Sequence, residues 1–355
     1  MGSRTRSPVA AGPERIFADP GAVARRVRDR LRQEVPESAR ELSAEEEPAE
    51  RVLEGARRER DRVLAAGAAG LEKLAGGRAD EIRDDESFGM EAIVLLEGRP
   101  AILVENQDFA AQGGDWAVLD ERRDAIRRSI ARVGRVEVGG HPSLDWLGTA
   151  FVVGDDVVMT NRHVAAEFAR QDGAGWTFQG GMSARITPGE DCPGPSATAG
   201  GPAYRVAGVI GIHPDLDLAL LRIEPDPVAG PPPTPFAVAA TGPGALEGRP
   251  VYCVGYPAYD GRRNEPAAMR RIFMDVYNVK RLQPGTVTEL LPGGAVLAHD
   301  CSTLGGNSGS PVVDLFDERV VGLHFGGRYG VGNYAVPLWR FTDDPLLRSA
   351  GVNFV

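Results

Sequence analysis

From about Arg135 to the end of the chain, short apolar runs follow one another with glycine, proline and aspartate between them. They read "GTAFVVG", "DVVMTN", "YRVAGVIGI", "DLALLRI", "PVYCVGY", "IFMDVYNV", "GTVTELL", "GAVLAHD", "SPVVD", "RVVGLHF" and "NYAVPL". Runs this short, rich in β-branched residues and bounded by turn-formers, predict strands. Many such strands with few helical periods predict an all-β sandwich or barrel, and about 220 residues suffice for a pair of small barrels. "AGPPPTP" at 229–235 divides the region, since proline stiffens a linker and cannot continue a sheet ladder. The expected halves are about 136–228 and about 236–345.

The pattern before that point is different. Residues 1–88 are rich in Ala, Arg and Glu and predict a helical region. "DPGAVARRVRDRLRQ" has Asp19 as cap, Pro20 in the first turn and Val23, Val27 and Leu31 on one face. A second helix is expected from Ser43, where Glu46 completes a capping box. Leu53, Ala56, Val63, Leu71 and Leu74 form its apolar stripe, broken by the charged run "RRERDR". Such a region is a solvated helical hairpin, a partly disordered linker or a module that docks a protein partner. In 89–135, two apolar runs flank Gly98-Arg99-Pro100 and predict a hairpin. Trp116, Leu119, Ile126, Ile130 and Val133 then predict an amphipathic helix, making this stretch a connector.

Composition narrows the function classes. The net charge of −10 gives no basic face for phosphates, so a general nucleic-acid binder is not expected. Lys73 and Lys280 are the only lysines, arginine supplying the other basic residues, a bias expected of a GC-rich genome. No run is long and apolar enough for a membrane span, and the first residues lack the apolar core of a secretory signal. A bacterial, cytoplasmic protein with reduced thiols is therefore expected. Cys192, Cys253 and Cys301 are too few and too scattered in sequence to predict a disulfide framework or a zinc site, so neither metal nor cofactor is expected.

Three stretches of the β region carry candidate chemistry. His163 follows the strand Val157–Thr160 in "TNRHV", Asp217 heads "DLALLRI", and Ser308 stands among glycines in "STLGGNSGSP". Each alone has an ordinary structural explanation. Their order, His then Asp then Ser, is that of one class of triad. A serine hydroxyl needs a neutral imidazole to take its proton, and the imidazolium formed needs a carboxylate to orient and stabilise it. Glycines beside the serine let backbone N–H groups approach a developing oxyanion, and those of Gly306 and Ser308 are the expected donors.

With these motifs, residues 136–355 resemble the chymotrypsin-fold serine proteases, and within them the bacterial glutamyl endopeptidases. "GTAFVV" and "TNRHV", "DLALLRI", "VGYP", "STLGGNSGSP" and "GLHFGG" carry the resemblance. It implies two six-stranded antiparallel β-barrels with the catalytic residues between them, and hydrolysis of polypeptide substrates through an acyl-enzyme. Residues 1–90 have no counterpart in it. Asp215 is a rival acid, but the family pattern sets the acid directly before an apolar-Ala-apolar run, which only Asp217 meets. His213 is given no role. The resemblance further implies that His324 and Thr303, each donating a hydrogen bond, read Glu or Gln before the cut, with Gly326 and Gly327 leaving room for the substrate backbone. Ser302 stands where trypsin-like enzymes place an aspartate, which disfavours Arg and Lys. Asn307 replaces the aspartate that pairs with a freed amino terminus in zymogen activation. The alternative class is a binding protein that keeps the fold without turnover and docks partners through 1–88.

Overall fold

The computed structural model describes residues 98–173, 175–189, 203–225, 230–258, 276–328 and 332–355, a helix over 48–76, and residues 21, 24, 25, 28, 78, 81–83, 85, 86 and 273. The expected caps at Asp19 and Ser43, the run 93–96 before Gly98, and Cys192 lie outside these residues.

The described residues fall into two compact units. The first contains helix α1 (Pro48–Ala75), which runs unbroken through the charged stretch. Leu64, Ala68 and Leu71 are its buried face, spaced as a helical stripe requires. Near its end Lys73 Nζ binds Glu86 Oε2 at 2.7 Å and the Glu81 carbonyl at 2.9 Å.

The second unit holds the β structure. It opens with a hairpin, β1 (Ile102–Glu105) and β2 (Asp108–Phe109). Its turn is Asn106-Gln107, both at positive φ (52° and 59°); the first run of the hairpin expected round Gly98-Arg99-Pro100 lies outside the described residues. Both central residues at positive φ match the twist of a two-residue hairpin loop, and asparagine tolerates that region. The expected single amphipathic helix is divided: residues 111–120, with the 3-10 turn Gly114–Trp116 and most of the helical turn Val118–Glu121, belong to the first unit, and α2 spans Arg123–Ala131 in the second. Trp116, Leu119, Ile126 and Ile130 are buried as expected, but Val133 begins a strand.

That strand is β3 (Val133–Gly139), the first of a closed barrel. The others are β4 (Trp146–Gly154), β5 (Val157–Thr160), β8 (Ser183–Thr187), β9 (Tyr204–Ile212) and β10 (Ala219–Glu224). Between them a small ribbon pairs β6 (Ala169–Asp172) with β7 (Gly175–Phe178). The barrel closes in the order β10-β5-β4-β3-β8-β9. Ala150, Val152, Val158, Ile186, Val206, Leu221 and Ile223 fill its apolar core. Phe151 and Val153, on the other face of β4, are also buried. Phe236 packs edge-on against Phe151, its ring 5.7 Å away, and the Asn353 N–H donates to the Val153 carbonyl. The chain leaving the proline linker and the carboxy-terminal segment therefore cover this barrel from outside. Truncating a buried leucine here, such as Leu221, would cost roughly 2–5 kcal/mol.

The second barrel uses β11 (Pro250–Gly255), β12 (Arg281–Leu290), β13 (Leu297–His299), β14 (Pro311–Asp314), β15 (Val320–Arg328) and β16 (Gly332–Pro337). Its order is β11-β14-β15-β16-β13-β12, and pairing of β11 with β12 completes the ring. β1 extends the sheet from β12 through Ile102 opposite Leu282. The fold is thus two six-stranded antiparallel barrels. "IFMDVYNV" does not supply a strand among its described residues, Phe273 and 276–279; β12 starts at Arg281.

Candidate active site

His163 lies in a one-turn helix, α3 (Arg162–Ala165), directly after β5. Asp217 precedes β10, which pairs antiparallel with β5 through Ala219 opposite Thr160. The pairing sets the two side chains beside each other. His163 Nδ1 lies 2.7 Å from one Asp217 carboxylate oxygen, and the His163 backbone N–H donates to the other at 3.0 Å. Asn161 Nδ2 donates to the Asp217 carbonyl at 2.8 Å and fixes the backbone of the acid. Burial works against the ionised carboxylate, but the hydrogen bonds from the His163 ring and backbone outweigh it and hold Asp217 below the ordinary aspartate range. A depressed folded-state pKa stabilises the fold above the unfolded value, and this contribution disappears as pH falls through the folded one. With Nδ1 committed to Asp217, Nε2 is the nitrogen left to act as a base.

Asp215 is not part of this arrangement. It is exposed, and its N–H donates to His213 Nδ1 at 3.1 Å. His213 has a structural place: Nδ1 also accepts from the Leu216 N–H, and Nε2 lies 3.1 Å from Asp344. Asp344 in turn caps helix α4 (Pro345–Ser349).

Ser308 sits in a turn immediately before β14, flanked by two glycines in the left-handed region, Gly306 at φ 86° and Gly309 at φ 91°. A Cβ on Gly309 would overlap the Thr149 carbonyl, and one on Gly306 would overlap the Tyr256 carbonyl and press on Trp146. The turn is pinned to the first barrel, with the Thr149 N–H donating to the Ser308 carbonyl at 2.8 Å and Thr149 Oγ1 to the Gly306 carbonyl at 2.8 Å. A Cβ on Gly148 would lie 2.8 Å from the Ser308 carbonyl oxygen and 3.0 Å from Val164, the residue after His163, so the serine turn and the histidine helix both border Gly148. No hydrogen bond joins the His163 ring to Ser308 Oγ. Among the described residues, the Gly306 and Ser308 N–H groups have no acceptor, whereas those of Asn307 and Gly309 bond to Leu304 and His324 carbonyls. We expect Gly309→Ala to destabilise the fold by about 1–3 kcal/mol from backbone strain alone, with the clash adding to it; thermal unfolding beside wild type measures it.

The residues expected to read the substrate lie in the second barrel. His324, on β15, is buried at 2% exposure, and its N–H and carbonyl are taken up by Ser310 and Gly309. Its Nδ1 lies 3.1 Å from Nε2 of His299, a partner that no sequence motif marked. Burial, with His299 and His163 nearby, pushes His324 well below the ordinary histidine value, so it is neutral at pH 7. Burial likewise lowers His299 to about 4. The Thr303 hydroxyl donates to Asn333 Oδ1 at 2.7 Å, and Asn333 Nδ2 donates to the Cys301 carbonyl at 2.6 Å. Thr303 is thereby an acceptor for a further partner, where the sequence suggested a donor. Gly326 faces open space on the same strand. A charged depression on the first barrel contains none of these residues; Arg135, Arg185 and Glu137 pair there, as do Arg205 and Glu224.

Comparison with known proteins gives the family. Residues 148–323 match the family model described as a trypsin-like peptidase domain. A protein of Lysobacter enzymogenes named "Probable serine protease" is 30% identical over 310 residues, covering 78% of this chain and 79% of its own. The chain belongs to the trypsin-like serine proteases. Among solved structures, the serine endoprotease of Yersinia pestis is 18% identical, covering 64% of this protease and 66% of that chain, with a TM-score of 0.42. The Rv3671c protease of M. tuberculosis in its inactive form is 20% identical over 66% of this protease and 96% of that chain, with a TM-score of 0.40. No helix among the described residues is long and apolar enough to cross a membrane.

Proposed function

We propose that this serine protease is an endopeptidase in which His163 is the general base, Asp217 its orienting acid and Ser308 the nucleophile, cleaving after Glu or Gln. The observation that carries the reading is the double grip of Asp217 on the ring and backbone of His163, with the Ser308 turn and the residue after His163 both bordering Gly148. In the reaction His163 Nε2 takes the Ser308 proton as Oγ attacks the scissile carbonyl, then gives it to the leaving amine. The unused N–H groups of Gly306 and Ser308 are suited to the oxyanion, because they need no reorganisation to meet it. The missing His163–Ser308 hydrogen bond is compatible with this role, since such contacts often tighten only when substrate binds. A fluorophosphonate probe tests the assignment: it should label Ser308 covalently in the wild type and fail on His163→Ala. An unlabelled wild type would favour a protein that binds without turnover.

Neutral His324 and the accepting Thr303 oxygen support a polar primary pocket. A carboxamide brings both a donor and an acceptor to such a pair, and a carboxylate takes a hydrogen bond from His324. Ser302 supplies no carboxylate for a basic side chain, and its carbonyl is occupied by Gln283 Nε2 at 2.7 Å. Cleavage profiling on a proteome-derived peptide library should show Glu and Gln before the cut. His324→Ala should reduce kcat/KM on those peptides by about ten- to 150-fold, the worth of one buried polar contact of about 1.5–3 kcal/mol. Peptides with small apolar residues there should lose little. Dominance of Arg, Lys or Phe would exclude the pocket reading.

A further inference from the structure

The second barrel gathers two cysteines and a histidine that the catalytic reading does not use. Cys253 lies on β11, His299 ends β13 and Cys301 follows two residues later; all three are fully buried. Their ligand-capable atoms lie within 4.8 Å of one another. Neither Cys253 nor Cys301 is in a disulfide. Around the sulfurs the core is aliphatic, with Val251, Val287, Leu297 and Val312. His299 spends Nε2 on His324, and its Nδ1 is buried without a hydrogen-bond partner. An unsatisfied imidazole nitrogen in an apolar core carries a desolvation cost that proteins rarely leave uncompensated.

We propose that Cys253 Sγ, Cys301 Sγ and His299 Nδ1 bind one Zn2+. Thiolate and imidazole donors select zinc or copper(I) over the oxygen-seeking Mg2+ and Ca2+. The charge balance favours zinc. Two thiolates, a neutral imidazole and a dication sum to zero, the condition under which an apolar core can hold the cluster. Binding releases the two thiol protons to solvent. Tetrahedral zinc with Zn–S bonds of about 2.3 Å sets sulfurs about 3.8 Å apart, so atoms within 4.8 Å need shifts of only about 1 Å. The arrangement also has a consequence at the substrate pocket. Ligation at Nδ1 leaves the His299 proton on Nε2, where it donates to His324 Nδ1, and His324 must then carry its own proton on Nε2. That consequence rests on the pocket reading above, whereas the ion site does not.

The test uses the full chain, produced with Zn2+ supplied and freed of loose metal by gel filtration. Elemental analysis should find about one zinc per chain, and exchange with Co2+ should give a thiolate-to-cobalt charge-transfer band. Cys253→Ala, Cys301→Ala and His299→Gln should each weaken retention by at least about tenfold and remove or shift that band. Folded wild type without zinc and without the cobalt band overturns the proposal, even if peptidase activity is normal. Zinc retained equally by a folded Cys253→Ala/Cys301→Ala double variant also overturns it, because the ion would then sit elsewhere, for example at His163. Binding of copper(I) with no binding of zinc overturns the zinc assignment. If a variant does not fold by circular dichroism, the wild-type stoichiometry and cobalt spectrum decide alone.

Discussion

Ser308→Ala is expected to lower kcat for peptide hydrolysis by roughly five to six orders of magnitude while leaving the barrels intact. The loss is large because acyl transfer has no other nucleophile at this turn. Ser310, two residues on, is fully buried, with Oγ turned toward Asn307. The fold should survive because the turn is built from other atoms. Gly306 and Gly309 supply its left-handed residues, and the Ser308 carbonyl, not the hydroxyl, accepts from Thr149. The variant should therefore keep the wild-type melting temperature to within a few degrees, as surface substitutions usually do. Activity within tenfold of wild type would show that Ser308 is not the nucleophile. Normal folding with no activity and no fluorophosphonate label is the result the assignment requires.

The second large effect concerns the acid. Asp217→Asn should reduce kcat by roughly three to four orders of magnitude. The carboxylate now accepts two hydrogen bonds, from the His163 backbone N–H and from ring Nδ1. An asparagine can still accept the first through its carbonyl oxygen, but its NH2 then faces Nδ1. That donor favours the tautomer with the proton on Nε2, which can no longer accept one from Ser308. The ring geometry is kept and the base is lost. Asp215→Asn should change kcat by no more than a few-fold, since Asp215 is exposed and its contact with His213 is made by the backbone N–H. Steady-state kinetics on the two variants side by side would show a misassigned acid if the effects were reversed. The acid limb gives a second readout. Stability of the wild type should fall as Asp217 is protonated through its depressed pKa, and the asparagine variant should lack that component.

Much of this was legible in the chain because it is local. The apolar runs "GTAFVVG" and "YRVAGVIGI" mark strands, and β4 and β9 form where they stand; β4 is apolar on both faces because one meets the barrel core and the other an outer cover. The glycines around Ser308 are fixed by positive φ and by close backbone approach, which no other residue tolerates. His163 and Asp217 were paired in the chain only through their order and the family resemblance; the adjacency of β5 and β10 is what brings them together. Other features were hidden because they need barrel closure. β3 and β8 carry Arg135, Glu137 and Arg185, charges that argue against strands in a linear reading; Arg135 reaches the buried Glu137 carboxylate along its own strand, and the pairing of β8 with β3 adds Arg185 and makes the charges compatible with a sheet. Thr303 looked like a donor until β16 brought Asn333 to take its proton. His299 was one residue in an apolar run, and Cys253 and Cys301 were scattered thiols. Curling β11 and β13 into one ring sets them within reach of each other, because side-chain direction on a strand has period two while neighbours across a barrel can come from any distance in sequence.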